Sequence, residues 1–256
     1  MLNTHMKDKL RRGKPVFGTF VKENSPRLIE LYGRAGFDYV ILDAEHGAFS
    51  LSEAENMVRA ADSVNMSTIL RIPDCTEAAV LHGLDIGAGG VQIPSLVDVE
   101  VARYGAQFSR YYPLGNRGMS LDQRSADYGM AKAAEYFKHA NENVSLVLQV
   151  EKKEMVDQVE ELCKIPQLDI IFIGPGDLSQ SLGKPGQMDD PEVQAAIKHV
   201  CEVGLHYQKI VGTIALNPSQ LKKYIDMGML YMSISTDFMI YGRAIKEVAK
   251  GFEQFK

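Results

Sequence analysis

The chain has 256 residues, of which 45% are hydrophobic, so it is long enough and apolar enough to bury a large core. Acidic residues outnumber basic ones by 33 to 28, and the formal net charge is −5. This balance argues against nucleic-acid binding, which usually requires a clustered cationic face.

Targeting and redox signals are also informative. No apolar run approaches the ~18 residues that span a bilayer, and the N-terminus lacks the apolar stretch of a signal peptide. The three cysteines, Cys75, Cys163 and Cys201, are widely spaced and predict neither a disulfide framework nor a CxxC zinc site. We therefore expect a cytoplasmic protein that contacts neither membrane nor nucleic acid.

Eight short runs of β-branched and aromatic residues predict strands along the chain. Most are continuous apolar runs, typical of parallel strands that are covered on both faces. In chain order the runs are Val16–Phe20, Tyr39–Asp43, Thr68–Arg71, Gly90–Ile93, Ser145–Glu151, Asp169–Gly174, Ile210–Ala215 and Tyr231–Thr236.

Segments with helical periodicity separate these runs, and several have clear start signals. Ser50 and Glu53 have capping-box spacing. Three further starts pair an N-cap residue with proline at the first helical position: Ser25-Pro26, Asp190-Pro191 and Asn217-Pro218. Helices are also predicted at Val99–Ser109 and near Met130–Ala140. The alternation predicts one (β/α)8 TIM barrel spanning residues 1–256, with a doubly wound open sheet as the alternative.

Polar residues collect where the predicted strands end, which is where α/β barrels place their catalytic groups. Gln149 and Glu151 are two residues apart on one strand, so their side chains point to the same face. The predicted rim residues are Asp43, His46, Arg71, Gln149, Glu151 and Asp177. Burying so many charges is costly unless they pair with each other or with an ion. Carboxylates without cysteine suit Mg2+ or Mn2+.

Five of the six rim residues, all except Gln149, also have a structural interpretation. Asp43 could cap the following helix, and Asp177 could cap a short helix over Ser179–Leu182. Arg71 could pair with a rim carboxylate, while His46 and Glu151 could be loop and helix-start residues. Their joint placement at one rim favours the functional interpretation.

At these residues the sequence resembles the HpcH/HpaI family, the metal-dependent 4-hydroxy-2-oxoheptanedioate and 2-keto-3-deoxysugar-acid aldolases. The resemblance runs from Phe17-Gly-Thr-Phe20 to Ser235-Thr-Asp237, over nearly the whole chain. Its most specific motifs are Asp43-Ala-Glu-His46, Leu70-Arg-Ile-Pro73, Gln149-Val-Glu151 and Gly174-Pro-Gly-Asp-Leu-Ser179. All of them occur in the family's order and spacing.

The resemblance implies a phosphoenolpyruvate/pyruvate-type barrel and a class II aldolase that reversibly cleaves a 4-hydroxy-2-oxo acid to pyruvate and an aldehyde. It implies a divalent cation (Mg2+, Mn2+ or Co2+) bound by Glu151 and Asp177. Gln149 and the backbone at Gly176 and Asp177 are implied to hold the pyruvyl carboxylate.

The same resemblance assigns the acid–base and enolate groups. Arg71 is implied to stabilise the enolate oxygen, His46 to act as general base, and Asp85 to orient His46. Phe20, where tryptophan is frequent in the family, and Asp43 complete the predicted substrate-binding set. The aldehyde partner is undetermined, and we expect segment 110–125 to shape its pocket.

The family also implies a homo-oligomer, a hexamer built as a trimer of dimers, in which the helix near Phe238–Phe255 packs on a neighbouring subunit. Two other functions stay open: a citrate-lyase-β-like lyase acting on 3-hydroxyacyl-CoA thioesters, and a non-catalytic barrel that binds small acids. A lysine Schiff-base mechanism is disfavoured, because the sixth run has no lysine and Lys22 and Lys152 follow strands in predicted loops.

Overall fold

A computed structural model of the protein describes residues 2–253 and 255. Eight parallel strands pair in chain order and close into a barrel, β8 pairing back onto β1. The strands are β1 Val16–Val21, β2 Tyr39–Asp43, β3 Ser67–Arg71, β4 Gly90–Ile93, β5 Ser145–Val150, β6 Ile170–Ile173, β7 Ile210–Ala215 and β8 Tyr231–Thr236. The prediction of a (β/α)8 barrel is confirmed, and the open sheet is excluded.

Helices follow the strands and form the outer layer. They are α1 His5–Arg11, α2 Pro26–Arg34, α3 Leu51–Ser63, α4 Glu77–Asp85, α5 Val99–Gln107, α6 Ala133–Asn143, α7 Lys153–Asp157, α8 Val159–Cys163, α9 Pro175–Ser181, α10 Pro191–His206, α11 Pro218–Asp226 and α12 Asp237–Glu253. A 3-10 helix, Arg124–Gly129, precedes α6.

Most of the predicted start signals act as expected. Both halves of the capping box between Ser50 and Glu53 form, and the side chains of Asp190 and Asn217 cap α10 and α11. Ser25 makes no side-chain cap. The alternative in which Asp177 caps a helix at Ser179 is wrong, because Pro175 already occupies the first position of α9 and Asp177 lies within its first turn.

Aromatic side chains fill the barrel interior. The rings of Tyr39 and Tyr231 stack with centroids 4.4 Å apart, and Phe172 meets both Tyr231 and Phe20 edge to face. Gly18 permits this packing, because a Cβ on it would lie 2.5 Å from the Tyr39 ring. The larger apolar core lies between the strands and the helices.

The segment between α5 and β5 lies at the N-terminal end of the barrel. α5 returns the chain to that end and β5 starts again from it at Ser145, so residues 108–144 leave from and return to the N-terminal end. Arg110 of this segment binds Asp169, just before β6, at 2.7 Å. The expectation that segment 110–125 shapes the aldehyde pocket stays a prediction.

Asp169 closes this N-terminal end. Its carboxylate binds Lys7 at 3.0 Å and Arg110 at 2.7 Å, and accepts a hydrogen bond from the Leu146 amide at 2.8 Å. Burial alone would raise the pKa of Asp169, but the charges of Lys7 and Arg110 outweigh it and hold the pKa below its usual range. The depressed pKa means that the folded state favours the ionised form.

Asp169→Asn should lower the free energy of unfolding by about 2 kcal/mol at pH 7, since two cations lose their partner. Because the pKa is lower in the folded state, this stabilisation is complete above the unfolded value of about 4 and is lost as the pH falls further. Urea unfolding of both proteins between pH 7 and pH 3 measures the difference, which should narrow below about pH 4. Asp157→Asn, which removes an exposed pair with Lys153, is the control and should change stability by less than about 0.5 kcal/mol. Equal losses in both variants would contradict the assignment.

None of the helices in the described part of the chain combines the length and the hydropathy needed to cross a membrane.

Candidate active site

Arg71, at the end of β3, is held on every edge of its guanidinium. Nε and Nη2 donate to the two oxygens of Asp43 at 2.9 and 2.7 Å, and Nη1 lies 2.8 Å from Glu45 Oε2. Its Cζ sits 4.8 Å from the centre of the Phe20 ring. Asp43 and Arg71 are direct partners in the β2–β3 register, so strand pairing itself brings them together. The arginine is thus fixed in position before any ligand binds.

Two predicted substrate-binding residues, Asp43 and Phe20, contact Arg71 in the structure. Asp43 is 0% exposed and uses both oxygens on Arg71, while Phe20 is 5% exposed beneath the guanidinium. In the structure both residues support Arg71. Their predicted direct contacts with substrate stay predictions.

Glu151 follows β5 directly and is 2% exposed. Its Oε1 accepts a hydrogen bond from the Ser95 amide at 2.7 Å, and its Oε2 accepts one from Gln149 Nε2. Gln149 in turn accepts a hydrogen bond from Gln92 Nε2 at 2.7 Å. A carboxamide nitrogen has two hydrogens, so the bond from Gln149 to Glu151 leaves one for the predicted contact with a substrate carboxylate.

The neighbours of Glu151 are mainly acidic. Burial raises the pKa of Glu151, and the charges of Asp177 and Glu45 raise it further, against the lowering effect of the bonds from Ser95 and Gln149. Gly174 is needed beside it, since a Cβ there would lie 2.6 Å from Glu151 Oε2. Glu151 therefore lies in the negative field of Asp177 and Glu45, and a bound cation would compensate this charge.

The donor set fits a hard divalent cation. Glu151 and Asp177 offer carboxylate oxygens and no thiolate lies among them, as Mg2+ or Mn2+ prefers. Across residues 2–253 and 255, no three His, Cys, Asp or Glu side chains are grouped closely enough to hold a metal ion by themselves. Two protein carboxylates would leave the remaining positions to water and to a chelating ligand. The amides of Gly176 and Asp177 lie in the first turn of α9, where backbone N–H groups have no partner within the helix.

His46 and Asp85 are not brought together within one chain. His46 is exposed in the turn after β2, where its backbone amide donates to Asp43 Oδ1 at 3.2 Å. Asp85 is the last of the nine residues of α4, which places it about 13 Å along that helix, away from the rim. There it binds Arg117 at 2.7 Å and lines an outward-facing groove of about 420 Å³ between α3 and α4.

Three residues that contact the predicted rim residues were not identified from the sequence. Glu45 lies inside the Asp43-Ala-Glu-His46 motif, and Gln92 is a polar residue within an apolar run, so both carried a readable signal. Ser95 carried none. It contributes its backbone amide from a left-handed conformation with φ 53°, which its side chain does not encode.

The fold and this rim define a class: (β/α)8 enzymes with carboxylates and a fixed guanidinium at the carboxyl ends of the strands. The chain belongs to the HpcH/HpaI aldolase/citrate lyase family, whose profile matches residues 16–244. It is an enzyme of the carbon–carbon lyase class.

Similar proteins agree with this placement. The 5-keto-4-deoxy-D-glucarate aldolase of Enterobacter sp. (strain 638) is 30% identical over 230 residues, covering 90% of this chain and 89% of the relative. The crystal structure of the HpcH/HpaI aldolase from Desulfitobacterium hafniense DCB-2 has a TM-score of 0.92 and 28% identity, covering 98% of this chain and 97% of that one. The citrate synthase SbnG has a TM-score of 0.90 and 26% identity, with 98% of both chains covered.

Proposed function

We propose that this protein is a class II pyruvate aldolase, which cleaves a 4-hydroxy-2-oxo acid to pyruvate and an aldehyde with the help of a divalent cation. The first candidate substrate is 5-keto-4-deoxy-D-glucarate, which the named relatives act on. The proposal depends chiefly on the buried Glu151, which faces two further carboxylates beside a guanidinium that is fixed before substrate arrives.

Glu151 and Asp177 would hold the cation, which would supply Lewis-acid stabilisation of the 2-oxo acid. The amides of Gly176 and Asp177, with Gln149, orient the pyruvyl carboxylate. His46 takes the proton from the C4 hydroxyl as the C3–C4 bond breaks and the aldehyde forms. The electron pair of that bond moves into the C2–C3 enolate, whose oxygen Arg71 stabilises. Protonation of C3 then completes pyruvate.

Two measurements test this proposal. The purified protein should cleave 5-keto-4-deoxy-D-glucarate, with pyruvate detected by lactate dehydrogenase, and should exchange the methyl protons of pyruvate for deuterium. Both activities should be lost on exhaustive chelation and return with Mg2+, Mn2+ or Co2+, and the order of the three would identify the preferred metal.

Other outcomes would overturn it. Activity that survives chelation, or pyruvate trapped on a lysine by borohydride, would replace the metal with a Schiff base. Cleavage of 3-hydroxyacyl-CoA thioesters, or condensation of acetyl-CoA with oxaloacetate, without pyruvate exchange would favour a thioester enzyme. Binding of pyruvate without exchange would indicate a non-catalytic barrel.

We further propose a cytoplasmic homo-oligomer, a hexamer, in which each chain forms one barrel domain over residues 1–256. The free thiols of Cys75, Cys163 and Cys201 support a reducing compartment. α12 supports the assembly: Ile245 and Val248 are 68% and 71% exposed, as expected for an apolar face that packs on another subunit. Because Asp85 binds Arg117 within its own chain, we propose that it orients the His46 imidazole of a neighbouring subunit.

Subunit mixing tests the placement of Asp85. His46→Asn and Asp85→Asn should each lower kcat by about 100-fold or more, as loss of a general base or of its orienting group does. Mixed oligomers refolded from equal amounts should regain roughly a quarter of the sites, because some interfaces then pair an intact His46 with an intact Asp85. No recovery on mixing would show that Asp85 serves its own chain, through Arg117.

A further inference from the structure

Lys22 lies directly after β1 at the catalytic rim, in a loop whose backbone is fixed. The amides of Lys22 and Glu23 both donate to Asp237 Oδ2, at 2.7 and 2.8 Å. Asp237 is 0% exposed and begins α12. The lysine therefore projects from a defined position.

The ammonium of Lys22 is close to a carboxylate but is not bound by it. Nζ lies 3.8 Å from Asp43 Oδ2, beyond hydrogen-bond length, and the same oxygen already accepts Arg71 Nη2 at 2.7 Å. In the described chain no hydrogen bond from this ammonium is present, although its side chain is only 30% exposed. The three donors of this accessible ammonium are therefore available to the oxygen atoms of a ligand.

The barrel order places Lys22 opposite the candidate metal ligands. β5, which Glu151 directly follows, is the fourth strand from β1 in either direction around the closed barrel. Arg71 on β3 lies midway and shares Asp43 with Lys22. A substrate whose pyruvyl end is bound at β5 and β6, and whose enolate oxygen meets Arg71, must extend its far end across the rim toward β1.

We propose that Lys22 binds the terminal carboxylate of the aldehyde half, so that the enzyme selects 2-oxo dicarboxylates. This inference rests on the proposed aldolase function and adds the residue that binds the end of the substrate farthest from the pyruvyl group. Lysine suits the task, since its compact charge carries three donors that can meet either carboxylate oxygen.

The experiment compares two substrates of equal length and stereochemistry. One is 5-keto-4-deoxy-D-glucarate, and the other is 4,5-dihydroxy-2-oxohexanoate, which has a methyl group where the diacid has its terminal carboxylate. The wild-type enzyme should prefer the diacid by about 10- to 100-fold in kcat/KM, the range of a charge-assisted hydrogen bond. Lys22→Met should remove that preference, mainly through KM, and leave cleavage of the methyl compound within about 3-fold of wild type.

Two further variants control the comparison. Lys22→Arg keeps the charge and should restore much of the preference. Lys153→Met removes the same charge from the start of α7 near the rim, where the ammonium is bound by Asp157 at 2.7 Å, and should leave both rates unchanged. Thermal unfolding checks that all variants fold.

Each other result has a definite meaning. Equal losses on both substrates would show that Lys22 acts through Asp43 and Arg71, and would overturn the proposal. An unchanged preference in Lys22→Met, or a wild-type enzyme without preference, would overturn it too. If the wild-type enzyme cleaves neither substrate but the pyruvate exchange persists, the substrate assignment fails; if exchange is also absent, the aldolase function itself fails.

Discussion

Glu151→Gln should lower aldol cleavage and pyruvate proton exchange by roughly three orders of magnitude, since loss of a metal ligand removes several kcal/mol of transition-state stabilisation. The substitution keeps the size of the side chain, but it removes the charge and sets an NH2 group against one of the two donors, Ser95 N or Gln149 Nε2. The two activities are measured over a range of Mn2+ concentrations.

A binding readout separates loss of metal from loss of fold. Mn2+ should raise the unfolding temperature of the wild-type protein but not that of the variant, because a ligand stabilises only the state that binds it. Glu154→Gln changes an exposed acid on α7 and is the matched control, expected to behave as wild type in both assays. A Glu151→Gln protein that keeps full exchange activity would contradict the assignment of Glu151 as a metal ligand.

Replacing Arg71 should have the second-largest effect on activity. Two different substitutions separate its contribution to catalysis from its contribution to stability. Arg71→Lys keeps a charge but loses the planar group that donates to both oxygens of Asp43 while lying 2.8 Å from Glu45 Oε2. We expect kcat to fall by about 100- to 1000-fold, as on removal of one oxyanion donor. Stability should change little by comparison.

Arg71→Met removes the charge altogether and leaves the fully buried Asp43 without its bidentate partner. The free energy of unfolding should then fall by about 3–5 kcal/mol, the cost of breaking a buried ion pair. Urea unfolding and steady-state kinetics on both variants measure the two parts. Near-normal kcat in Arg71→Lys would show that this guanidinium does not stabilise the enolate.

The positions of these residues on strands were predictable. Apolar runs a few residues long can be buried only as parallel strands under helices, and side chains two residues apart share a face, so Gln149 and Glu151 must point the same way. The ends of parallel strands meet at one rim, which is why Asp43 and Arg71 could be expected near Glu151. Because apolar runs mark buried strands, the predicted strand ranges agree closely with those of the structure.

The tertiary structure decided which of these groups touch. The amide of Ser95, which has a left-handed backbone conformation, donates to Glu151, and Glu45 in a turn lies beside Arg71. A pattern of hydrophobic residues predicts neither contact. The sequence did not show where Asp85 and segment 110–125 lie, because linear order does not say to which end of the barrel a connection returns. In the structure Asp85 ends α4 and binds Arg117 of that segment, and its predicted role beside His46 stays a prediction.

The amino-acid sequence by itself determined the barrel, the rim and the residue types that meet there, because periodicity and strand ends are local properties of the chain. Only the tertiary structure decided that Asp43 holds Arg71 and that Gln149 holds Glu151. It also decided that the Lys22 ammonium makes no hydrogen bond to the described residues, although Asp43 Oδ2 is 3.8 Å away. These facts depend on distances between side chains far apart in sequence, which are set by strand register and loop closure rather than by composition.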